Sequence, residues 1–98
     1  MPFKDWFQDL PDGFVLYIGR RTERGQPTSF CVVLIYEDEC ITRYDTAHGF
    51  AHRDILGRKS GLIEKVSCET LGNKQAFQNA IRDLKTNFRQ YLAFYLAH

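Results

Sequence analysis

A change of rhythm at residue 73 constrains this chain more than any other feature. From there on, Phe77, Ile81, Leu84, Phe88, Tyr91 and Tyr95 recur at steps of four and three, with no proline or glycine among them. That spacing places all six on one stripe of a long amphipathic helix. Ala76, Ala80 and Leu92 widen the stripe, and Arg82, Lys85 and Arg89 lie opposite it. Asn73 is positioned to cap the helix start. Upstream, the apolar residues follow the shorter rhythm of strands. Residues 14–18 are β-formers between Gly13 and Gly19. Residues 29–36, SFCVVLIY, are apolar on both parities, which predicts a central strand covered on both faces. Glu37, Asp38 and Glu39 form a tight turn into a third strand over 40–45, and a fourth runs over 62–67.

The predicted fold is therefore α+β: an antiparallel sheet of about four strands, one face packed by a long C-terminal helix. The chain of 98 residues is expected to form a single domain. Its parts are an N-terminal arm over 1–12, a sheet over 14–67 and a helix over 73–97. Phe3, Trp6 and Phe7 have helix-like spacing, so the arm is expected to dock one turn on the core. One helix covers only one sheet face. The other face calls for the arm, a second protomer in a homodimer, or another protein.

The formal net charge is +1, which excludes attachment to nucleic acid by bulk charge but not by a local basic surface. Arg20, Arg21 and Arg24 cluster in a stretch expected to be a loop, and could follow a phosphate backbone. Cys31, Cys40 and Cys68 are odd in number and lack a C-x-x-C spacing, so they read as reduced thiols of a cytoplasmic protein. No apolar segment follows Met1 as in a signal peptide, and no apolar run approaches the ~20 residues of a membrane span. No phosphate-binding loop, dinucleotide fingerprint or zinc ribbon is present, and no cofactor is expected.

Chemistry concentrates in RYDTAHGFAHRD, residues 43–54. In an extended strand, Arg43 and Asp45 share one face and Tyr44 takes the other. After Asp45 the strand pattern breaks into an expected loop over 46–53, where His48 and His52 follow around Gly49, and Arg53 and Asp54 close the segment. Two histidines can divide the roles of general base and acid, because an ordinary imidazole changes charge near neutrality. Asp45 would orient one imidazole, and Arg43, Arg53 or Lys65 would stabilise an anionic phosphorane. RNA cleavage at the 2′-hydroxyl fits this toolkit without a metal, because the RNA supplies the nucleophile. His48 and His52 also have a metal-ligand spacing, but no HExxH glutamate accompanies them, and no metal site is assigned. Each residue also has an ordinary role as a cap, an ion-pair partner or a solvated side chain.

The strings TRYDTAHGFAHRDIL, GLIEK and AIRDLKTNFRQY resemble a family of small uncharacterised prokaryotic proteins with an RYDTxHGxxHRD motif. More loosely, Arg43, Tyr44, Asp45, His48 and His52 are similar to the R-Y-D element and clustered histidines of TumE-type toxins. That likeness implies a small α+β protein acting inside the cell and neutralised by an antitoxin. Where TumE-type toxins have a proline-rich histidine cluster, this chain has Gly49 and no proline.

Two functions stand side by side. One is a small toxin-like or RNA-processing protein, a metal-independent ribonuclease with His48, His52, Asp45, Arg43 and Arg53 as catalytic residues. The other is a non-catalytic module or accessory subunit that recognises nucleic acid or a protein partner. Tyr44, Asp54, Lys65, Arg20, Arg21 and Arg24 are the candidate binding residues in either case. The partners expected are RNA and an antitoxin or other protein, and no membrane.

Overall fold

A computed structural model of the chain describes residues 2–46, 50–68 and 72–98. Six strands form one sheet: β1 (Phe3–Asp9), β2 (Phe14–Glu23), β3 (Gln26–Tyr36), β4 (Glu39–Asp45), β5 (His52–Gly57) and β6 (Gly61–Ser67). They lie in chain order, each antiparallel to the next. Helix α1 (Asn73–Ala97) follows and packs on β3, β4 and β5. The α+β class and the long terminal helix agree with the sequence, and the sheet has two more strands than expected.

The first added strand is the N-terminal arm. β2 runs on to Glu23 and would leave a row of backbone donors and acceptors open at its edge. The arm pairs with that row, with Trp6 opposite Ile18 and Phe7 opposite Tyr17, instead of forming a helical turn. The second is β5, which begins at His52, where a loop was expected. Residues 20–28 are not an open loop either. β2 and β3 form a hairpin whose turn residues, Arg24 and Gly25, both have positive φ. That is the backbone twist favoured in two-residue hairpins.

Alternation along the strands separates two faces. One carries Phe14, Leu16, Ile18, Phe30, Val32 and Leu34, all buried against Ala76, Phe77, Ala80, Leu84 and Phe88 of α1. Phe14 meets Phe88 edge-on at 4.7 Å, and Phe30 meets Phe77 at 5.3 Å. The other face carries Val15, Tyr17, Val33 and Ile35, only half-buried. No element covers that face among the described residues, so β3 is central but not packed on both sides. β1 extends the edge and does not cover it.

The helix ends are tied down unequally. Gly72, not Asn73, occupies the N-cap, and no side chain caps it. Asn73 instead donates to the Thr28 carbonyl. At the other end, the Arg58 amide donates to the Tyr95 carbonyl, and Ser60 donates to the His98 carbonyl through its amide and its hydroxyl. These bonds satisfy acceptors that a helix terminus leaves open. Gly57 permits the approach, since a Cβ there would sit 2.7 Å from the His98 carbonyl carbon. No helix of the described residues is long and apolar enough to cross a membrane.

Leu84 is fully buried between helix and sheet. Leu84→Ala should lower stability by about 2–5 kcal/mol, through lost burial and the cavity left behind. Urea denaturation of the two proteins measures it. A loss below about 1 kcal/mol would mean that α1 does not pack on the sheet through this stripe.

Candidate functional site on the open sheet face

The two ends of the RYDTAHGFAHRD segment pair with each other. β4 and β5 are in register with Arg43 opposite Asp54, Tyr44 opposite Arg53 and Asp45 opposite His52. β6 then places Lys65 opposite Asp54 and Ser67 opposite His52. Directly opposed residues share a face, so Arg43, Asp45, His52, Asp54 and Lys65 gather on the open side of the sheet. Tyr44 and Arg53 project to the helix side.

Asp54 is the anchor of the open-face cluster. It is 0% exposed. Its Oδ2 accepts from Arg43 Nε at 2.6 Å, and its Oδ1 accepts from Lys65 Nζ at 2.9 Å. Burial pushes the Asp54 carboxyl up, but the bonds from Lys65 and Arg43 outweigh it and hold the group below its ordinary value. The same Asp54 bond raises the Arg43 guanidinium above its ordinary value.

His52 is equally buried. Its Nδ1 lies 3.2 Å from the Phe50 carbonyl oxygen. Its Nε2 lies 3.0 Å from Asp45 Oδ1, 3.3 Å from Lys65 Nζ and 3.4 Å from Asp54 Oδ1. The Phe50 ring stands 5.6 Å from the imidazole. Asp45, His52 and Asp54 thus bring three ligand-type atoms within 4.8 Å of one another. The Lys65 ammonium already touches two of the three, so a metal ion there would compete with a built-in cation.

The helix side holds a cluster that sequence inspection missed. Asp83 of α1 accepts from the hydroxyls of Tyr44 and Tyr91 on one oxygen and from Asn87 on the other. Burial first, and the bond to Asp83 second, push the Tyr91 phenol up to about 12 and the Tyr44 phenol higher still. Asp83 and Asn87 precede Tyr91 of the apolar stripe at steps of four residues, and that spacing is the available signal. Asn87 has φ −113° and ψ 19°, a local departure from helical geometry where its side chain turns to Asp83. Arg53 stacks over the Tyr91 ring at 4.8 Å and donates to Thr42 Oγ1 at 3.2 Å.

Of the expected catalytic residues, Arg43, Asp45 and His52 converge, joined by the expected binders Asp54 and Lys65. Arg53 does not, because alternation sends it through the sheet to the helix. Tyr44 follows it there. His48 lies outside the described residues. The three arginines do not form a loop patch. Arg20 lies near the Trp6 ring, with its buried Nε lacking a hydrogen-bond partner among the described residues. Arg21 stands over Phe3 on the open face, and Arg24 sits in the hairpin turn. The thiols of Cys31, Cys40 and Cys68 are all pushed up by burial, which argues against reactive cysteines.

This chain belongs to a family described as a domain of unknown function, DUF7718, whose model matches residues 1–98. No curated protein and no solved structure matches it.

The low Asp54 carboxyl has a pH consequence. A carboxyl depressed by folding stabilises the fold above its unfolded value of about 3.9, and that contribution is lost as pH falls through the lower folded value. Asp54→Asn should therefore cost about 3 kcal/mol at pH 6. This is the lower end for a broken buried ion pair, because Arg43 and Lys65 remain partly exposed and can turn to water. The gap between wild type and variant should narrow as pH drops from about 6 towards 2. Urea midpoints across that range test it, and a gap independent of pH would rule out the ion-pair assignment.

Proposed function

We propose that this domain binds single-stranded RNA across the open face of its sheet. The observation that carries the proposal is the buried Asp54 carboxylate drawing two cations side by side. Arg43 spends only Nε on it, and its two terminal nitrogens have no partner among the described residues. Lys65 spends one ammonium hydrogen on Asp54 and lies against His52, leaving a further hydrogen for a ligand. Both side chains are partly exposed, at 44% and 38%. Their spare donors suit a phosphate oxygen, and the anchor fixes their positions before binding.

The same row of the sheet supplies stacking surfaces. Phe7, Tyr17, Val33, Arg43, Asp54 and Lys65 are successive partners across all six strands. Tyr17 lies two strand spacings from Arg43, roughly 10 Å. Phe7 is 67% exposed and meets Tyr17 at 5.2 Å, and Phe3 is also exposed beside Arg21. Exposed rings on the same face as fixed cations are elements from which single-strand binding faces are built, bases stacking and phosphates pairing.

Binding is favoured over cleavage by the state of His52. It has no exposure, and both ring nitrogens lie within reach of protein atoms. A general acid or base must reach the proton it moves. The Asp45–His52 contact therefore supports the cluster from beneath. A toxin role with an antitoxin partner rests on the family likeness alone. A homodimer formed through the open face would occupy the surface that RNA uses.

One experiment separates these readings. Labelled single-stranded RNA is titrated with the protein in EDTA across a range of salt concentrations, and the RNA is then run on a denaturing gel. Binding should weaken with salt, and the RNA should stay intact. Arg43→Gln and Lys65→Gln should each weaken binding and flatten the salt slope by about 0.7, the value for one phosphate contact on a single strand. Cleavage that disappears in His52→Ala would replace this proposal with the ribonuclease. Absence of binding at low salt would leave protein recognition.

A further inference from the structure

We infer that the helix side of the sheet holds a second, independent site, for a small amphipathic carboxylate. A pocket of about 260 Å³ lies there, lined by Arg53, Ile55, Gln90, Tyr91 and Phe94. It opens where α1 stops covering the sheet, since the helix packs on β3, β4 and β5 and leaves β6 exposed along its length. Its walls are mainly hydrocarbon and aromatic ring. Among the described residues, Arg53 is the one charged side chain of its lining.

Arg53 gives the pocket a ligand chemistry. Arg43, Lys65, Arg58 and Arg89 each pair with a carboxylate. Arg53 is half-buried, yet it makes no ion pair among the described residues. Its bonds are one donation to a threonine hydroxyl and a stack on Tyr91. The nearby carboxylate, Asp83, is committed to two tyrosines and an asparagine. A partly buried cation is costly without an anion, and a ligand carboxylate would supply one. Gln90 offers a second donor from the pocket wall. Val66 is the cross-strand partner of Arg53, so it lies on the same face. Val66 is 38% exposed and extends the apolar surface beside Arg53, and Glu64, the partner of Ile55, bounds it farther along β6. A charged head on Arg53 and a short tail along Ile55, Phe94 and Val66 match this layout. A phosphodiester chain does not, because one cation and apolar walls would strip it of water without repayment.

The test uses sodium octanoate, with 1-octanol and sodium acetate as the neutral and tail-less controls, followed by amide chemical shifts and calorimetry. Octanoate should bind saturably and shift residues of β5, β6 and the second half of α1. Octanol and acetate should each bind at least tenfold more weakly. Arg53→Gln should weaken octanoate at least tenfold. Should that variant unfold, Phe94→Glu serves in its place, since Phe94 is 39% exposed and a carboxylate there repels the ligand at the mouth. Octanol binding as tightly as octanoate would reduce the site to an apolar groove and overturn the proposal. So would unsaturable octanoate shifts, full octanoate affinity in a folded Phe94→Glu protein, or pocket shifts that follow protein concentration alone, which would mark the face as a contact between copies. RNA binding on the opposite face is read separately, so either proposal can fail without the other.

Discussion

The pairing of β4 with β5 is the constraint on which the rest depends. It sets Arg43 against Asp54 and Asp45 against His52, and places a fully buried carboxylate where two cations can meet it. Sheet geometry makes this register exacting. A slip of one residue would turn every side chain of β5 over and put the charged residues into the helix-facing core. The register is held from both sides of the sheet. On the helix side Tyr44 bonds to Asp83, and on the open side the Asp54 carboxylate takes bonds from both neighbouring strands. The polar network thus specifies the pairing, a role in which buried charge is better attested than as a source of stability.

The sheet consequently has two chemically different sides. Towards α1 it is closed, aromatic and stitched by the Asp83 cluster. Away from α1, no described element covers it, and rings on β1 and β2 share a row with the cations of β4 and β6. The motif contributes to both at once, because alternate residues face opposite ways. Arg43 and Asp45 serve one side, and Tyr44 the other. The same split divides His52 and Asp54 from Arg53.

Much of the architecture is legible in the amino-acid order alone. The helix was readable because a stripe recurring at three and four residues has no other regular solution over that length. β3 was readable from an unbroken apolar run. The N-terminal arm was misread because the spacing of Phe3, Trp6 and Phe7 is compatible with a helical turn over so few residues. What decided its conformation was the open edge of β2, a long-range demand invisible in local spacing. The start of β5 reads as loop in the sequence because His52 and Arg53 are polar at positions that suggest solvent. The Asp54 charge beside them is buried because partners on β4 and β6 neutralise it.

By itself the sequence determined the α+β class, the terminal helix and its apolar face, the central strand, and the twelve residues where polar chemistry concentrates. These follow from periodicity and composition, which are local properties. Only the tertiary structure decided which of those residues meet. It joined Arg43, Asp45, His52, Asp54 and Lys65, sent Tyr44 and Arg53 through the sheet, and recruited Asp83 and Tyr91 from a helix some thirty or more positions away. The physical reason is that strand register and sheet order bring distant positions into contact, and both are set by the summed pairing of whole elements. No short window of sequence contains that sum.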